Sequence, residues 1–238
     1  MAATLGISYE RRRARVAEYF DRTAAATWAQ LTSDAPVSAI RRTVRAGRDR
    51  MRATLLGALP PDLHGARVLD AGCGTGALAV ALAERGARVL AIDLSPTLVA
   101  LAEERTPGLV RDRIAFRSGD MLDPSLGTFD HVVAMDSLIH YEAPEMLGAV
   151  ARLADRARTS LLFTVAPRTP LLAAMHAVGR LLPRGSRAPA IEPVAQAALH
   201  AALGRRLGAT WTLAATTRVA SGFYTSQAIV LRRPEVPT

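Results

Sequence analysis

The sequence contains no lysine: all 30 of its basic residues are arginine. That absence excludes a Schiff-base lysine and the phosphate-binding lysine of a P-loop. Cysteine is nearly absent too. Cys73 stands alone, which excludes a disulfide framework and a cysteine-based zinc cluster, and a reducing cytoplasm is the expected compartment. Aromatic residues make up 5% of the chain, and no aromatic-rich RNA-binding motif stands out. Long apolar runs are missing as well. Ala77–Ala83 falls far short of a membrane span, and Leu171–Leu182 is broken by Arg180. Met1–Gly6 is too short and polar for a secretory core, and Arg11, Arg12, Arg13 and Arg15 follow at once.

What is present fits one ordinary domain with a small cap. The chain has 238 residues, 50% of them hydrophobic and 21% charged, enough to bury a full core. The net charge is +9. Arginine and alanine richness fits the codon bias of a GC-rich genome, while arginine also suits planar anions such as carboxylates and phosphates. The charge is uneven, with eleven arginines against five acidic residues in residues 1–52.

Residues 8–59 read as helical, with Val16, Tyr19 and Phe20 on one side and a break near Pro36. Pro60-Pro61 closes this region, so residues 1–59 are expected to form a helical lid and residues 60–238 the main domain. There the pattern alternates: strand Ala66–Asp70, helix Gly76–Arg85, strand Arg88–Asp93, helix Ser95–Arg105, strands Arg113–Arg117 and Phe129–Met135, helix Pro144–Arg156, strand Thr159–Val165. Strands separated by helices predict βαβ units, and so an α/β, Rossmann-like, doubly wound parallel sheet. Residues 167–189 interrupt it as an apolar, proline-bounded cap. A helix over Ile191–Leu203 resumes. Trp211–Ala220 and Tyr224–Arg232, joined at Ser221-Gly222, predict a terminal hairpin with one antiparallel strand, for seven strands in all.

The strongest motif is Val68-Leu69-Asp70-Ala71-Gly72-Cys73-Gly74-Thr75-Gly76, which follows a strand and opens a helix. Glycines at alternate positions let the backbone approach a ligand without a Cβ in the way. Asp93 ends the second strand 21 residues after Gly72, where an acid would hold ribose hydroxyls. Gly72-x-Gly74-x-x-Ala77 also satisfies the relaxed dinucleotide fingerprint, so NAD stays open as a ligand. Three features favour S-adenosylmethionine: Asp70 at the first strand's end facing an ammonium group, Gly119-Asp120-Met121 placed to bracket an adenine, and the terminal hairpin.

Residues 68–76, with Asp93 and Gly119-Asp120, resemble the class I S-adenosylmethionine-dependent methyltransferases over about 66–165 and the hairpin. The resemblance implies that Asp70, Gly72 and Gly74 hold the methionine part, Asp93 the ribose, and Asp120 with Met121 the adenine. It also places Cys73, Leu94 and Asp136 in the cofactor set, with Cys73 a small filler facing the loop. A narrower resemblance covers other segments. Glu18-Tyr19-Phe20-Asp21-Arg22-Thr23 with Trp28, Leu138-Ile139-His140-Tyr141, Phe163–Thr169 and Phe223-Tyr224-Thr225-Ser226 are similar to the magnesium-protoporphyrin IX O-methyltransferases of chlorophyll and bacteriochlorophyll biosynthesis. Asp21-Arg22 departs from the usual Asn and small polar residue, and Ala24–Ala26 replaces bulkier residues.

That family esterifies one propionate of a magnesium porphyrin. A carboxylate of pKa about 4.3 is already ionised at neutral pH, so placement and desolvation matter more than a strong base. His140 would orient the propionate, or take up its proton if the acid arrives neutral. The plainer alternative is a helix-start histidine packed on Tyr141. Tyr19 would close the site; its alternative is a core aromatic beside Phe20. Tyr141, Arg168 and His176 complete the expected acceptor set. Arg168, Arg180, Arg184 and Arg187 would pair with the second propionate, or else form a solvated basic loop. His176 would ligate the porphyrin magnesium axially, although a lone histidine on an apolar helix is more often structural. His64, His131 and His200 show no partner, and no protein-bound metal is expected. The resemblance implies the porphyrin-carrying large subunit of magnesium chelatase as a partner, with peripheral contact at the photosynthetic membrane and no nucleic acid. The alternatives are another small-molecule methyltransferase, for instance on a quinone precursor, and a basic RNA-binding methyltransferase. Against the latter, residues 135–141 lack the Asn-Pro-Pro-Tyr type of tetrapeptide.

Overall fold

The computed structural model describes residues 2–24, 38–168 and 191–234. Strands β1 (Arg67–Ala71), β2 (Arg88–Asp93), β3 (Ile114–Ser118), β4 (Phe129–Ala134), β5 (Ala157–Val165), β6 (Thr212–Ser221) and β7 (Tyr224–Arg232) form one seven-stranded sheet in the order β3-β2-β1-β4-β5-β7-β6. The first five are parallel, and β7 runs antiparallel to both β5 and β6. The expected doubly wound sheet with a terminal hairpin is therefore present. Its order reverses between β1 and β4, the place where such sheets open a crevice at their carboxyl ends.

The parallel strands are apolar in sequence because both of their faces are covered. Alternate residues serve opposite sides. Leu69, Val132, Leu161 and Phe163 pack towards helices α6 (Ala143–Arg156) and α7 (Gln196–Leu207), with Met146, Leu153, Leu199 and Leu203. Val68, Val133 and Leu162 pack on the other side with Met51 and Leu55 of α2 (Ala39–Gly57) and Leu82 of α3 (Ala77–Glu84). Helices α4 (Pro96–Arg105) and α5 (Gly108–Arg111) complete the crossover to β3.

Most boundaries fall within two residues of expectation. The helix after the cap differs more. It starts at Gln196 rather than Ile191, since Pro193 lacks the N–H that a helix interior requires, and it runs through Gly204 to end at the left-handed Gly208 (φ 60°). At the amino-terminal side, α1 (Ala2–Glu18) continues into a π-helical turn over Tyr19–Ala24. The break near Pro36 and the cap beyond Arg168 lie outside the described residues. Among the described residues, no helix is long and apolar enough to cross a membrane.

Candidate active site

A cleft opens at the switch point, lined mostly by apolar side chains with a few convergent polar groups, as small-molecule sites are. Its floor is the loop after β1. Gly72, Gly74 and Gly76 all take left-handed φ values, of 87°, 54° and 79°. A Cβ on Gly72 would stand 2.3 Å from the Ser137 Cβ, whereas one on Gly74 would meet nothing within 4 Å and would project into open space. The loop is tied to β2: the Gly72 and Cys73 N–H groups donate to the Ile92 carbonyl at 2.8 and 3.0 Å.

Asp93 braces this loop. One carboxylate oxygen accepts the Gly74 N–H at 2.9 Å and the other the Ser95 N–H at 3.0 Å. Each oxygen keeps a further lone pair for a ligand hydroxyl. Burial pushes the Asp93 carboxyl up, against the pull of those N–H bonds. Asp70 lies beneath the loop, 1% exposed, and its Oδ2 has no hydrogen-bond partner. Burial and the neighbouring Asp93 charge raise its pKa to about 7. Asp70 does not line the cleft, and neither does Cys73, which packs against the α2–α3 side of the core with its thiol pushed up by burial.

Leu94, Asp120, Met121 and Asp136 do line it. Asp120 is gripped from α1: Tyr9 Oη donates to Oδ1 at 3.0 Å, and Arg13 Nη1 reaches Oδ2 at 2.6 Å. The Leu122 N–H also donates to Oδ1 at 2.9 Å. Asp136 takes a left-handed φ of 53°, the only described non-glycine residue to do so, and is surrounded by donors from other elements.

On the acceptor side, His140 and Tyr141 are both buried, 8% and 2% exposed. Tyr141 stacks on Tyr9, rings 5.1 Å apart and 18° from parallel, and burial raises its hydroxyl to about 12. The His140 ring meets Phe20 edge-on at 5.5 Å. Here one expectation fails in detail. Phe20, not Tyr19, lines the cleft; Tyr19 packs edge-on against Phe20 at 5.3 Å, and burial raises its hydroxyl. Adjacent residues of a helical turn point in well-separated directions around its axis, so only one of the pair faces inward. Arg168 is exposed and outside the lining residues; its N–H donates to the Val194 carbonyl at 3.0 Å. His176 falls outside the described residues. His64 and His131, expected to lack partners, have them: Asp62 at 2.6 Å and the Ser160 hydroxyl at 2.8 Å. His200 lies 3.4 Å from the Thr216 hydroxyl.

Several contributors escaped the sequence reading. Tyr9 and Arg13 join Val16 and Phe20, which the sequence already set on one side, at helical spacing, so a single face of α1 and its continuation covers the cleft. Arg12, on the adjoining face, pairs with Glu142, with Glu145 at 3.2 Å and with Glu192 at 2.9 Å, and donates to the His140 carbonyl at 3.2 Å. Asp21 accepts from the Thr97 hydroxyl at 2.7 Å and the Ser95 hydroxyl at 3.1 Å, at the N-terminus of α4 where an anion is favoured. Its carboxylate, a departure from the family pattern, thus anchors the cover.

Comparisons with known proteins agree with this geometry. The family description "Magnesium-protoporphyrin IX methyltransferase C-terminus" matches residues 134–233, and a general methyltransferase domain matches residues 68–159. The crystal structure of magnesium protoporphyrin IX methyltransferase from Synechocystis PCC 6803 with bound SAH is 27% identical, with a TM-score of 0.79, covering 93% of this chain and 99% of that one. A ubiquinone biosynthesis O-methyltransferase from Xanthomonas oryzae is 42% identical over 135 residues, but this spans 52% of this chain and 55% of the relative. The magnesium-protoporphyrin O-methyltransferase of Rhodobacter capsulatus is 48% identical over 225 residues, 94% of this chain and 98% of that protein. With the glycine loop, the terminal hairpin and the His140–Tyr141 corner all in place, the chain belongs to the magnesium-protoporphyrin O-methyltransferase family.

Proposed function

We propose that this chain transfers the methyl group of S-adenosylmethionine to a propionate carboxylate of magnesium-protoporphyrin IX, giving the monomethyl ester. The observation that carries the reading is that one cleft joins the glycine loop, Asp93 and Asp120–Met121 to His140 and Tyr141. A nucleotide-like ligand and its acceptor would meet inside it.

The residues present fit the cofactor. Open space at Gly74 leaves room for it, the unsatisfied Asp70 Oδ2 suits a nearby ammonium group, and Asp93 retains lone pairs for ribose hydroxyls. Asp120 Oδ2, with one donor on it, can accept from an adenine amine while Met121 packs on the ring. Leu94 adds apolar contact. When bound, S-adenosylmethionine supplies an electrophilic methyl group on a sulfonium.

The chain's own residues do the rest. His140 orients the attacking carboxylate oxygen, and holds its proton if the acid arrives neutral. Tyr141, fixed by its stack on Tyr9, backs the acceptor. Burial of this corner strips water from the nucleophile, and placement of this kind is worth roughly 7–11 kcal/mol in favourable intramolecular cases. Helix α1 and its π-turn form the moving part of the expected lid, with Phe20 and Tyr19 at its tip, and the exposed Arg168 receives the second propionate. The protein is cytoplasmic. Its +9 charge suits peripheral contact with an anionic membrane surface. A flat, apolar porphyrin also favours hand-over from the porphyrin-carrying subunit of magnesium chelatase.

The test is incubation with methyl-labelled S-adenosylmethionine and magnesium-protoporphyrin, followed by mass analysis. A base-labile monomethyl ester carrying the label is expected. Label recovered only on a quinone precursor, or only on RNA, would overturn the acceptor assignment.

A further inference from the structure

Arg12 has no part in the chemistry above, yet four groups converge on its guanidinium. Nη1 donates to the Glu192 carboxylate at 2.9 Å and to the His140 carbonyl at 3.2 Å. Nη2 pairs with Glu142, and Nε lies 3.2 Å from the Glu145 carboxylate. The Arg12 side chain is 14% exposed and that of Glu145 6%. One cation thus faces three carboxylates, and among the described residues Arg12 is the only ion-pair partner of all three. The planar fork of a guanidinium, with five N–H donors, can serve such a set at once.

The three carboxylates stand on fixed parts. Glu145 accepts the Glu142 N–H at 3.3 Å at the start of α6, and the Met146 N–H donates to the Glu142 carbonyl at 2.8 Å. Glu192 lies in the segment before α7. Its N–H donates to the Ile139 carbonyl at 2.8 Å, and the Val194 N–H donates to the Ala166 carbonyl, just past β5, at 2.9 Å. The 3₁₀ turn Leu138–His140 is therefore held at two successive carbonyls, at Ile139 by the Glu192 N–H and at His140 by Arg12. The His140 ring meets Phe20, which belongs to the same cover as Arg12. The cover thus touches both the backbone and the ring of this residue. With α1 lifted, both contacts would go, and the carboxylates would face one another with no cation of the described residues to offset them.

We propose that Arg12 is a positioning residue for methyl transfer: seated among Glu142, Glu145 and Glu192, it holds the His140 turn in its working place, so that the acceptor corner is complete only while α1 is down. Arg12 is not among the residues that line the cleft, so it acts through His140. The proposal rests on the role given to His140 above.

The experiment follows the His140 ring and turnover in wild-type protein, Arg12→Gln, His140→Ala and the double variant. Ring signals are recorded by NMR on histidine-labelled protein with S-adenosylhomocysteine, His140 being assigned by its loss in His140→Ala. Arg12→Gln is expected to move or broaden the His140 signal and to leave those of His64, His131 and His200 in place. An unmoved His140 signal overturns the proposal, whatever the acceptor. Turnover of magnesium-protoporphyrin is expected to fall about ten- to hundred-fold in Arg12→Gln. In the His140→Ala background the same substitution should cost less than about three-fold, because it acts through a group already gone. Losses that multiply overturn the proposal and leave Arg12 a structural tie, and full turnover in His140→Ala overturns it too. If wild-type protein leaves magnesium-protoporphyrin unmethylated, the acceptor reading fails and the ring signals still decide on Arg12. If every histidine signal moves, Arg12→Gln has lost its fold. Glu192→Gln, which removes one carboxylate and no cation, then decides by the same two readouts, with a smaller loss expected.

Discussion

Helices α1 and α2 each reach an aspartate at the carboxyl ends of the sheet, α1 through Tyr9 and Arg13 to Asp120, α2 through Arg48 to Asp136. They are anchored by opposite means. α2 sinks Met51 and Leu55 into the core at 0% exposure, beside Val68 and Leu82. α1 buries Tyr9 and Val16 and otherwise depends on ion pairs and hydrogen bonds: Arg12 to three glutamates, Arg13 to Asp120, Asp21 to Ser95 and Thr97. Apolar burial of two large side chains is worth several kcal/mol. The ion pairs gain less: Arg13–Asp120 is partly open to solvent and worth about 0–1 kcal/mol, and the more buried Arg12–Glu145 pair loses much of its attraction to desolvation. One helix is therefore part of the scaffold and the other, on the proposed reading, part of the lid, although the sequence places both in one helical region before Pro60 with a break near Pro36 between them.

The largest effect is expected where the two meet. His140 touches Phe20 of the cover and lies past the cofactor acids, so His140→Ala should lower turnover about 10²–10⁴-fold and leave cofactor affinity unchanged by calorimetry. Near wild-type turnover would make His140 structural. Met51→Ala should cost about 2–5 kcal/mol in denaturant unfolding, because the cavity forms inside the scaffold. A loss confined to the cover, with the global transition unmoved, would break the comparison.

Next comes pH. The folded-state pKa of Asp70, about 7, lies above its ordinary value of 3.8, so between those values the folded protein binds more protons than the unfolded one. Stability of the ligand-free protein should then fall as pH rises from about 4 to about 7, and level off above. Asp70→Asn should flatten that slope, while Arg12→Ala, which acts on the cover, should leave it intact. Calorimetric melting across that range reads both.

Arg12→Ala should weaken closure of α1 by about 1–3 kcal/mol, seen as faster hydrogen exchange over residues 8–20 with exchange in α2 unchanged. Cofactor addition should slow exchange in α1 only, and equal slowing in α2 would mean the two helices move as one. Smallest is Tyr9→Phe, which removes one hydroxyl bond to Asp120 and should change cofactor affinity by about 0.5–1.5 kcal/mol.

The sheet was legible in the sequence because its parallel strands are buried on both faces and so appear as apolar runs between glycine-marked turns. The loop at Gly72–Gly76 was legible because its left-handed positions demand glycine. Asp136 escaped that logic: its φ of 53° is held by partners 28 to 90 positions away, and no local residue type announces it. The grip of Tyr9 and Arg13 on Asp120 spans more than 100 positions, so helical spacing reveals the face but not its partner. Tyr19 was read as the inward residue from the family pattern. The π-turn makes Phe20 the one that lines the cleft.

The place of β7 in the sheet bears on how the molecule is made. This strand, Tyr224–Arg232, lies between β5 and β6 and pairs with β5 from Ser160↔Arg232 to Val165↔Gln227. During synthesis β5 would leave the ribosome with one edge unpaired. An open apolar edge of that kind recruits other chains. The parallel half cannot reach its final state before residue 232 has emerged, so the β5 edge stays open over the whole interval between β5 and β7.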